Sequence, residues 1–334
     1  MTAKADKGGG APAFSRSRAA GDGQADEGLF SEAFMKRLEY LDIVARKALA
    51  SPERGERRSK KLGAGLEFAD HRRYSPGDDF KHIDWNLYAR AGKLLLRQYE
   101  EEEDLFVYAL VDASASMSVG RDAPPLPTTS ATHGLTPAKN KLDQARRLAA
   151  ALSYIALAGL DRASVVTFSE KLGQRLLPAR GKAQIFRILQ FLRQIDPGGV
   201  TTFAESMRAF VHETKRRGVV IVLSDFYAQD GWEEGLNFLR YHRFEPVVVQ
   251  LVDERELHPN LRGDILLVDV ETQSTKEITL TPRLLEKYRA AHAAFSAELE
   301  THCKTRHIPY FRAGVHTPFD ELIVAMLRTG GILS

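Results

Sequence analysis

Short apolar runs alternate with amphipathic helical patterns along most of the chain. Runs of branched aliphatic residues, such as GVVIVLSD at 218–225 and PVVVQLVD at 246–253, are separated by stretches in which apolar residues recur every three or four positions. Strands that alternate with helices predict a mostly parallel sheet with helices on both faces, an α/β fold. The predicted strands are 94–99, 105–111, 163–168, 172–177, 218–225, 246–253 and 307–312, and the predicted helices are 141–159, 183–194, 203–217, 231–241, 283–304 and 319–327.

The N-terminal part of the chain has a different pattern. Residues 1–28 are rich in Gly, Ala, Ser and charged residues and have few large apolar side chains, which predicts a disordered tail. Apolar residues then recur at helical spacing from Phe34 to Ala48, which predicts an amphipathic helix that packs against the main domain. The predicted organisation is a tail at 1–28, an N-terminal region at 29–100 and an α/β domain at 101–334.

Three further segments are predicted to lie at the surface. The basic segment 51–65 predicts an exposed loop; its Arg57, Arg58, Lys60 and Lys61 either contact an acidic partner surface or are simply solvated. The Pro-rich segment 121–139 predicts a surface loop beside the first strand of the α/β domain. Near the C-terminus, 265–270 and 277–280 predict a short hairpin.

Composition narrows the class of protein. The 334 residues are 43% hydrophobic and 27% charged, as in a soluble globular chain. With 47 basic and 44 acidic residues, the net charge of +3 gives no argument for nucleic acid or for an anionic membrane. The single Cys303 excludes internal disulfides. No secretory signal or membrane span is visible, so a cytoplasmic protein is expected.

The strongest chemical pattern follows an apolar strand. LFVYALVD ends at Asp112, and Ser114 and Ser116 follow at alternate positions with only alanines between them. The carboxyl ends of strands in open α/β sheets are where ligands bind. Carboxylate and hydroxyl oxygens are ligands that a hard cation such as Mg²⁺ accepts.

Two later segments reach the same edge of the predicted sheet. Asp225 ends a strand as Asp112 does, and Thr201 follows the glycines of GGVTT. We expect Thr201 rather than Thr202 to serve the site, although either could be a helix cap. Capping of helix amides is also the alternative role for Asp112 and Asp225.

These residues resemble the metal-ion-dependent adhesion site of von Willebrand factor A domains. The resemblance implies a Rossmann-like domain whose Asp112, Ser114, Ser116, Thr201 and Asp225 hold a divalent cation. Mg²⁺ is the expected ion, with Mn²⁺ or Ca²⁺ as alternatives. In such domains the partner protein fills an open coordination position with an acidic side chain.

A second resemblance involves the segment 58–97, which includes GAGLEFADHRRYSPGDDFKHIDWNLYAR. It is similar to the signature of the bacterial domain-of-unknown-function 58 family, which implies an adaptor or co-chaperone that acts with an AAA ATPase of the MoxR class. Within this signature, Asp78, Asp79 and Asp84 form either a second acidic site or internal ion pairs with Arg72, Arg73 or Arg90. We favour the ion pairs.

Motifs of common enzymes are missing from the sequence. It has no phosphate-binding loop, no zinc-protease helix and no Gly-x-Ser-x-Gly nucleophile turn. We therefore expect a metal-dependent protein-binding module and not an enzyme. A Mg²⁺-dependent hydrolase that uses the same acidic edge and a metal-free scaffold are the alternatives.

Overall fold

The computed structural model describes residues 31–49, 62–63, 67–100, 105–120, 137–227, 231–259 and 263–329. The predicted tail at 1–28 lies outside the described residues. So do the basic residues at 57–61 and most of the Pro-rich segment, 121–136.

The chain order of the elements follows the predicted alternation from 105 onward. The helices are α1 (Glu32–Leu49), α2 (Trp85–Ala91), α3 (Lys141–Ala158), α4 (Ile185–Arg193), α5 (Phe203–Glu213), α6 (Trp232–Tyr241), α7 (Glu254–Leu257), α8 (Pro282–Thr305) and α9 (Phe319–Thr329). The strands are β1 (Leu62–Gly63), β2 (Glu67–Arg73), β3 (Leu95–Glu100), β4 (Phe106–Asp112), β5 (Arg162–Phe168), β6 (Leu172–Arg180), β7 (Val219–Ser224), β8 (Glu245–Val252), β9 (Gly263–Val268), β10 (Thr275–Leu280) and β11 (Tyr310–Gly314).

A six-stranded sheet forms the centre of the molecule, with the order β11-β8-β7-β4-β5-β6. Its strands pair in parallel except β6, which runs antiparallel to β5 because only a short turn separates the two. The mostly parallel sheet predicted from the sequence is therefore confirmed. Two smaller sheets lie outside it: an antiparallel sheet of β1, β3 and β2, and the β9–β10 hairpin, which is also confirmed.

Side chains of the central strands divide between two hydrophobic cores, one on each face of the sheet. In β4, Val107, Ala109 and Val111 pack on one face with α1, α3, α4 and α9. Tyr108 and Leu110 pack on the other with α5, α6 and α8. Because both faces are covered, β4, β7 and β8 carry apolar residues at consecutive positions that point to opposite faces, as parallel strands do when they are buried on both sides.

Helix α1 belongs to the first of these cores. Its Phe34 is 1% exposed and packs against Phe319 of α9 with ring centroids 5.0 Å apart. Arg37 pairs with Asp320 beside this contact. The prediction that the N-terminal helix packs against the main domain is confirmed.

Several predicted element boundaries are displaced by a few residues, and two of them have a visible cause. Helix α5 ends at Glu213, before the predicted 217, since Thr214 is extended and the Tyr108 hydroxyl donates to the Arg216 carbonyl at 2.9 Å. Strand β11 begins at Tyr310, after the predicted 307, since His307 has a left-handed φ of 55° at the end of α8.

Internal ion pairs hold the segment that resembles the family signature. Asp78 accepts from Arg72 at 2.7 Å, as favoured above. Asp84 caps α2 by accepting from the Leu87 amide at 3.0 Å, and it pairs with Arg97 of β3 rather than with the predicted Arg90. Hydrogen bonds from Arg97, His71 and the Leu87 amide hold the pKa of Asp84 well below its usual range.

Replacing Asp84 with Ala should loosen this segment, because α2 loses its cap and β3 loses its ion pair to the helix. We expect faster amide exchange in α2 and β3 by hydrogen–deuterium exchange, with β4 and β7 unchanged. Asp70→Ala is the control, since the exposed Asp70 carboxylate accepts from the neighbouring His71 amide. Equal amide exchange in the Asp84 and Asp70 variants would contradict the role given to Asp84 in holding this segment.

Candidate metal centre

Asp112 and the serines after it lie together at the carboxyl end of β4. The Asp112 carboxylate is fully buried and accepts from the Ser114 amide at 2.9 Å and from the Ser224 hydroxyl at 2.6 Å. The Ser114 and Ser116 hydroxyl oxygens are 3.0 Å apart. Ser114 is buried, whereas Ser116 is partly exposed. The three side chains therefore converge on one point, which opens toward solvent at Ser116.

The glycine-bearing loop brings Thr201 to the same point. The Gly198 amide donates to the Ala113 carbonyl at 2.8 Å, and the Ala115 amide donates to the Gly199 carbonyl at 3.1 Å. Gly199 has a φ of 78°, a conformation that glycine adopts without strain. These bonds place the Thr201 hydroxyl 3.5 Å from Asp112 Oδ1.

Thr202 faces away from this cluster. Its hydroxyl donates to the Glu170 carbonyl at 2.5 Å, and its amide donates to the Ser169 carbonyl at 3.0 Å. Thr202 thus ties the loop to the turn between β5 and β6. Thr201 is the threonine that the structure brings to Asp112.

Asp225 lies at the neighbouring strand end, where a buried ammonium contacts it. Lys141 is 1% exposed, and its Nζ lies 2.8 Å from Asp225 Oδ2 and 2.7 Å from Glu256 Oε1. The other Asp225 oxygen accepts from the Tyr227 amide at 3.1 Å. Burial disfavours the charge on Lys141, but the two carboxylates more than offset this and raise its pKa.

Burial and mutual repulsion act on the carboxylates at the centre of the cluster. Burial, together with the nearby Asp225 carboxylate, raises the pKa of Asp112 to about 7. Burial also raises the pKa of Glu256. A divalent cation between Asp112 and the hydroxyls would remove this repulsion, as a bound metal ion is often the largest local charge in a site.

The donor set suits a hard cation. Two neighbouring ligands of an octahedral Mg²⁺ lie roughly 3.0 Å apart when each bond is ~2.1 Å long. The separation of the Ser114 and Ser116 oxygens equals this edge. Within the described ranges there is no group of three or more His, Cys, Asp or Glu side chains arranged to hold a metal. A site here would therefore depend on hydroxyls and water as much as on carboxylates.

A fourth acidic side chain reaches the exposed side of the cluster from the turn between β9 and β10. The half-buried Glu271 carboxylate is hydrogen-bonded to the Ser116 side chain and to the Thr201 backbone. Burial raises the pKa of Glu271, and the nearby Asp225 carboxylate adds to the shift. The cluster is thus contacted by a carboxylate of its own chain.

Comparison with protein families identifies the chain. The family model described as "Protein of unknown function DUF58" matches residues 70–298. The chain belongs to the DUF58 family. Its mostly parallel sheet with a helical layer on each face is the α/β architecture that the resemblance to von Willebrand factor A domains implies.

Relatives of this DUF58 protein occur in mycobacteria. It is 26% identical over 266 residues to the uncharacterized protein Rv1480 of Mycobacterium tuberculosis (strain ATCC 25618 / H37Rv), an alignment that covers 78% of each chain. The uncharacterized protein Mb1516 of Mycobacterium bovis is similar to the same extent.

Solved structures are similar at lower identity. The conserved hypothetical protein BatB from Bacteroides thetaiotaomicron is 14% identical with a TM-score of 0.39, over 66% of this chain and 98% of BatB. Proximal thread matrix protein 1 from the mussel byssus, with a zinc-occupied MIDAS motif, is 14% identical with a TM-score of 0.32, over 45% of this chain and 38% of that one. Among the described helices of the DUF58 protein, none has the length and apolar character needed to cross a membrane.

Sequence reasoning missed Lys141, Glu256 and Glu271. A lysine in the first turn of a helix opposes the helix dipole, so Lys141 carried a weak signal that it has an acidic partner. Glu256 and Glu271 carried no such signal, because their contacts come from segments far along the chain.

The structure also shows Arg255 donating to the carbonyls of Gly120 and Lys139, which joins the two described ends of the Pro-rich segment.

Proposed function

We propose that this DUF58 protein is a metal-ion-dependent protein-binding module. One observation carries the proposal: the Ser114 and Ser116 hydroxyls, 3.0 Å apart, lie beside the carboxylate of Asp112, whose pKa is raised to about 7 by burial and by the nearby Asp225 carboxylate. A divalent cation held there by Asp112, Ser114, Ser116 and Thr201, with Asp225 directly or through water, would face solvent at Ser116. Mg²⁺ suits oxygen ligands at this spacing, and Mn²⁺ would bind similarly.

Charge balance indicates the kind of partner. Asp112 and Asp225 together neutralise a divalent ion, while Lys141 and Glu256 form a pair with each other and with Asp225. An ion that is only neutralised still attracts one carboxylate into an open coordination position. An Asp or Glu of a partner protein is the ligand that this arrangement favours.

The partner that we propose is an AAA ATPase of the MoxR class, for which this protein would act as an adaptor or co-chaperone in the cytoplasm. Support for this step comes from the resemblance of the signature segment to DUF58 proteins, and the cluster itself requires only an acidic side chain.

We further propose that the protein has no catalytic activity of its own. Burial raises the pKa of the Cys303 thiol to about 12, so this cysteine offers no thiolate at neutral pH.

Affinity purification from the native cell tests the proposal. Wild-type protein in Mg²⁺ should retain partners that are lost in EDTA and absent with Asp112→Asn, with an AAA ATPase among them. If wild type and variant retain the same proteins with and without EDTA, metal-dependent binding is wrong. Mg²⁺-dependent phosphatase or nuclease turnover that disappears in Asp112→Asn would favour the hydrolase instead.

A further inference from the structure

We propose that Glu271, at the turn of the β9–β10 hairpin, is an internal ligand of the metal centre, which a partner's acidic side chain must displace. This inference rests on the proposed function and concerns the regulation of the same site. It assigns to the hairpin the role of a competitor that covers the cation until a partner arrives.

Glu271 lies where a partner's carboxylate would approach the cation. Its carboxylate contacts Ser116, the most exposed of the hydroxyl donors, and the backbone of Thr201. This is the side from which an external carboxylate would approach the ion. An acid placed there by the chain itself is held at far higher effective concentration than one in solution.

The turn is built to hold Glu271 in this position. The Asp269 carboxylate accepts from the amides of Glu271 at 2.8 Å and Thr272 at 2.9 Å. The Gln273 amide donates to the Asp269 carbonyl at 2.9 Å, and the Asp269 amide donates to the Ser274 carbonyl at 2.8 Å. Side-chain and backbone bonds thus fix the turn independently of the rest of the protein.

The strands of the hairpin, in contrast, are poorly covered. Leu266, Leu267 and Val268 of β9 are 58%, 45% and 53% exposed, on both faces of the strand. β9 and β10 pair with each other as a separate two-stranded sheet. Little apolar surface is therefore lost if the hairpin moves away from the centre, so displacing it costs mainly the contacts of Glu271.

The test uses Mn²⁺ as the probe with the full-length protein, Glu271→Gln and the control Glu277→Gln, an exposed glutamate on β10. Calorimetry should show about tenfold weaker Mn²⁺ binding for Glu271→Gln than for wild type, as expected when a metal centre loses a charged partner. Hydrogen–deuterium exchange of the turn at 269–274 should slow about tenfold when Mn²⁺ binds the wild type and Glu277→Gln. In Glu271→Gln it should not change.

The outcomes separate this inference from the proposed function. Mn²⁺ binding that depends on Asp112 but is equal in wild type and Glu271→Gln, with turn exchange unaffected by the metal, would overturn the internal ligand and leave the metal-dependent module standing. Failure of all variants, wild type included, to bind Mn²⁺ would overturn both.

Discussion

Replacing Lys141 with Met should lower the free energy of unfolding of the metal-free protein by about 3–5 kcal/mol. The ammonium is 1% exposed and lies between the carboxylates of Asp225 and Glu256. Met keeps most of the length of the side chain but leaves both carboxylates without their cation. Removing one partner of a buried ion pair costs more than the pair contributes, because the remaining charge stays buried. Urea unfolding in EDTA measures the difference.

Lys304→Met is the matched control for this prediction. Lys304 pairs with Glu300 at 2.6 Å, but its side chain is 72% exposed. A solvent-exposed pair of this kind contributes about 0–1 kcal/mol. If the two lysine variants lost the same small amount of stability, the buried ammonium would not have the structural role described above.

Asp112→Asn should abolish stabilisation by divalent cations. At a metal concentration about one hundred times the dissociation constant, binding to the folded state alone stabilises the wild type by about 2.7 kcal/mol. The amide keeps an oxygen but not the charge that makes a cation favourable here. Thermal unfolding with Mg²⁺ or with EDTA should give different midpoints for the wild type and equal midpoints for the variant.

Asp253→Asn is the control for the loss of an aspartate at a strand end. Asp253 follows β8 as Asp225 follows β7, but it is paired with Arg255 at 2.6 Å. Its replacement should lower stability and leave the shift caused by Mg²⁺ intact. A shift that disappeared in both variants would indicate general loosening of this edge of the sheet and not a lost ligand.

Most of the fold could be predicted because its signals are local. The apolar strands β4, β7 and β8 carry branched residues at consecutive positions, and turns or polar residues bound them. The boundary at Thr214 could not be predicted because a contact with the distant Tyr108 accompanies it, and the boundary at His307 could not because nothing in the sequence marks the left-handed backbone of this residue. In the signature segment, strand β2 carries too few apolar residues for periodicity to reveal it, and helix α2 spans only seven residues, which is too short for a helical period to show.

Some residues of the candidate site could likewise be predicted from the sequence, and others could not. Asp112, Ser114 and Ser116 lie within five positions, so their spacing alone brought them together. Asp225 followed from the rule that the carboxyl ends of parallel strands share an edge, and Thr201 from the glycines that let its loop approach that edge. Lys141 lies 84 residues from Asp225 and 115 from Glu256, so no local pattern could pair them. Whether the five predicted side chains hold a metal stays a prediction.

A crystal structure of the wild type grown with Mn²⁺ tests the central claim most directly. We expect one anomalous difference peak at the carboxyl end of β4, about 2.1 Å from the hydroxyl oxygens of Ser114 and Ser116. Well-ordered Ser114 and Ser116 side chains with no anomalous peak between them and Asp112, at saturating Mn²⁺, would contradict it.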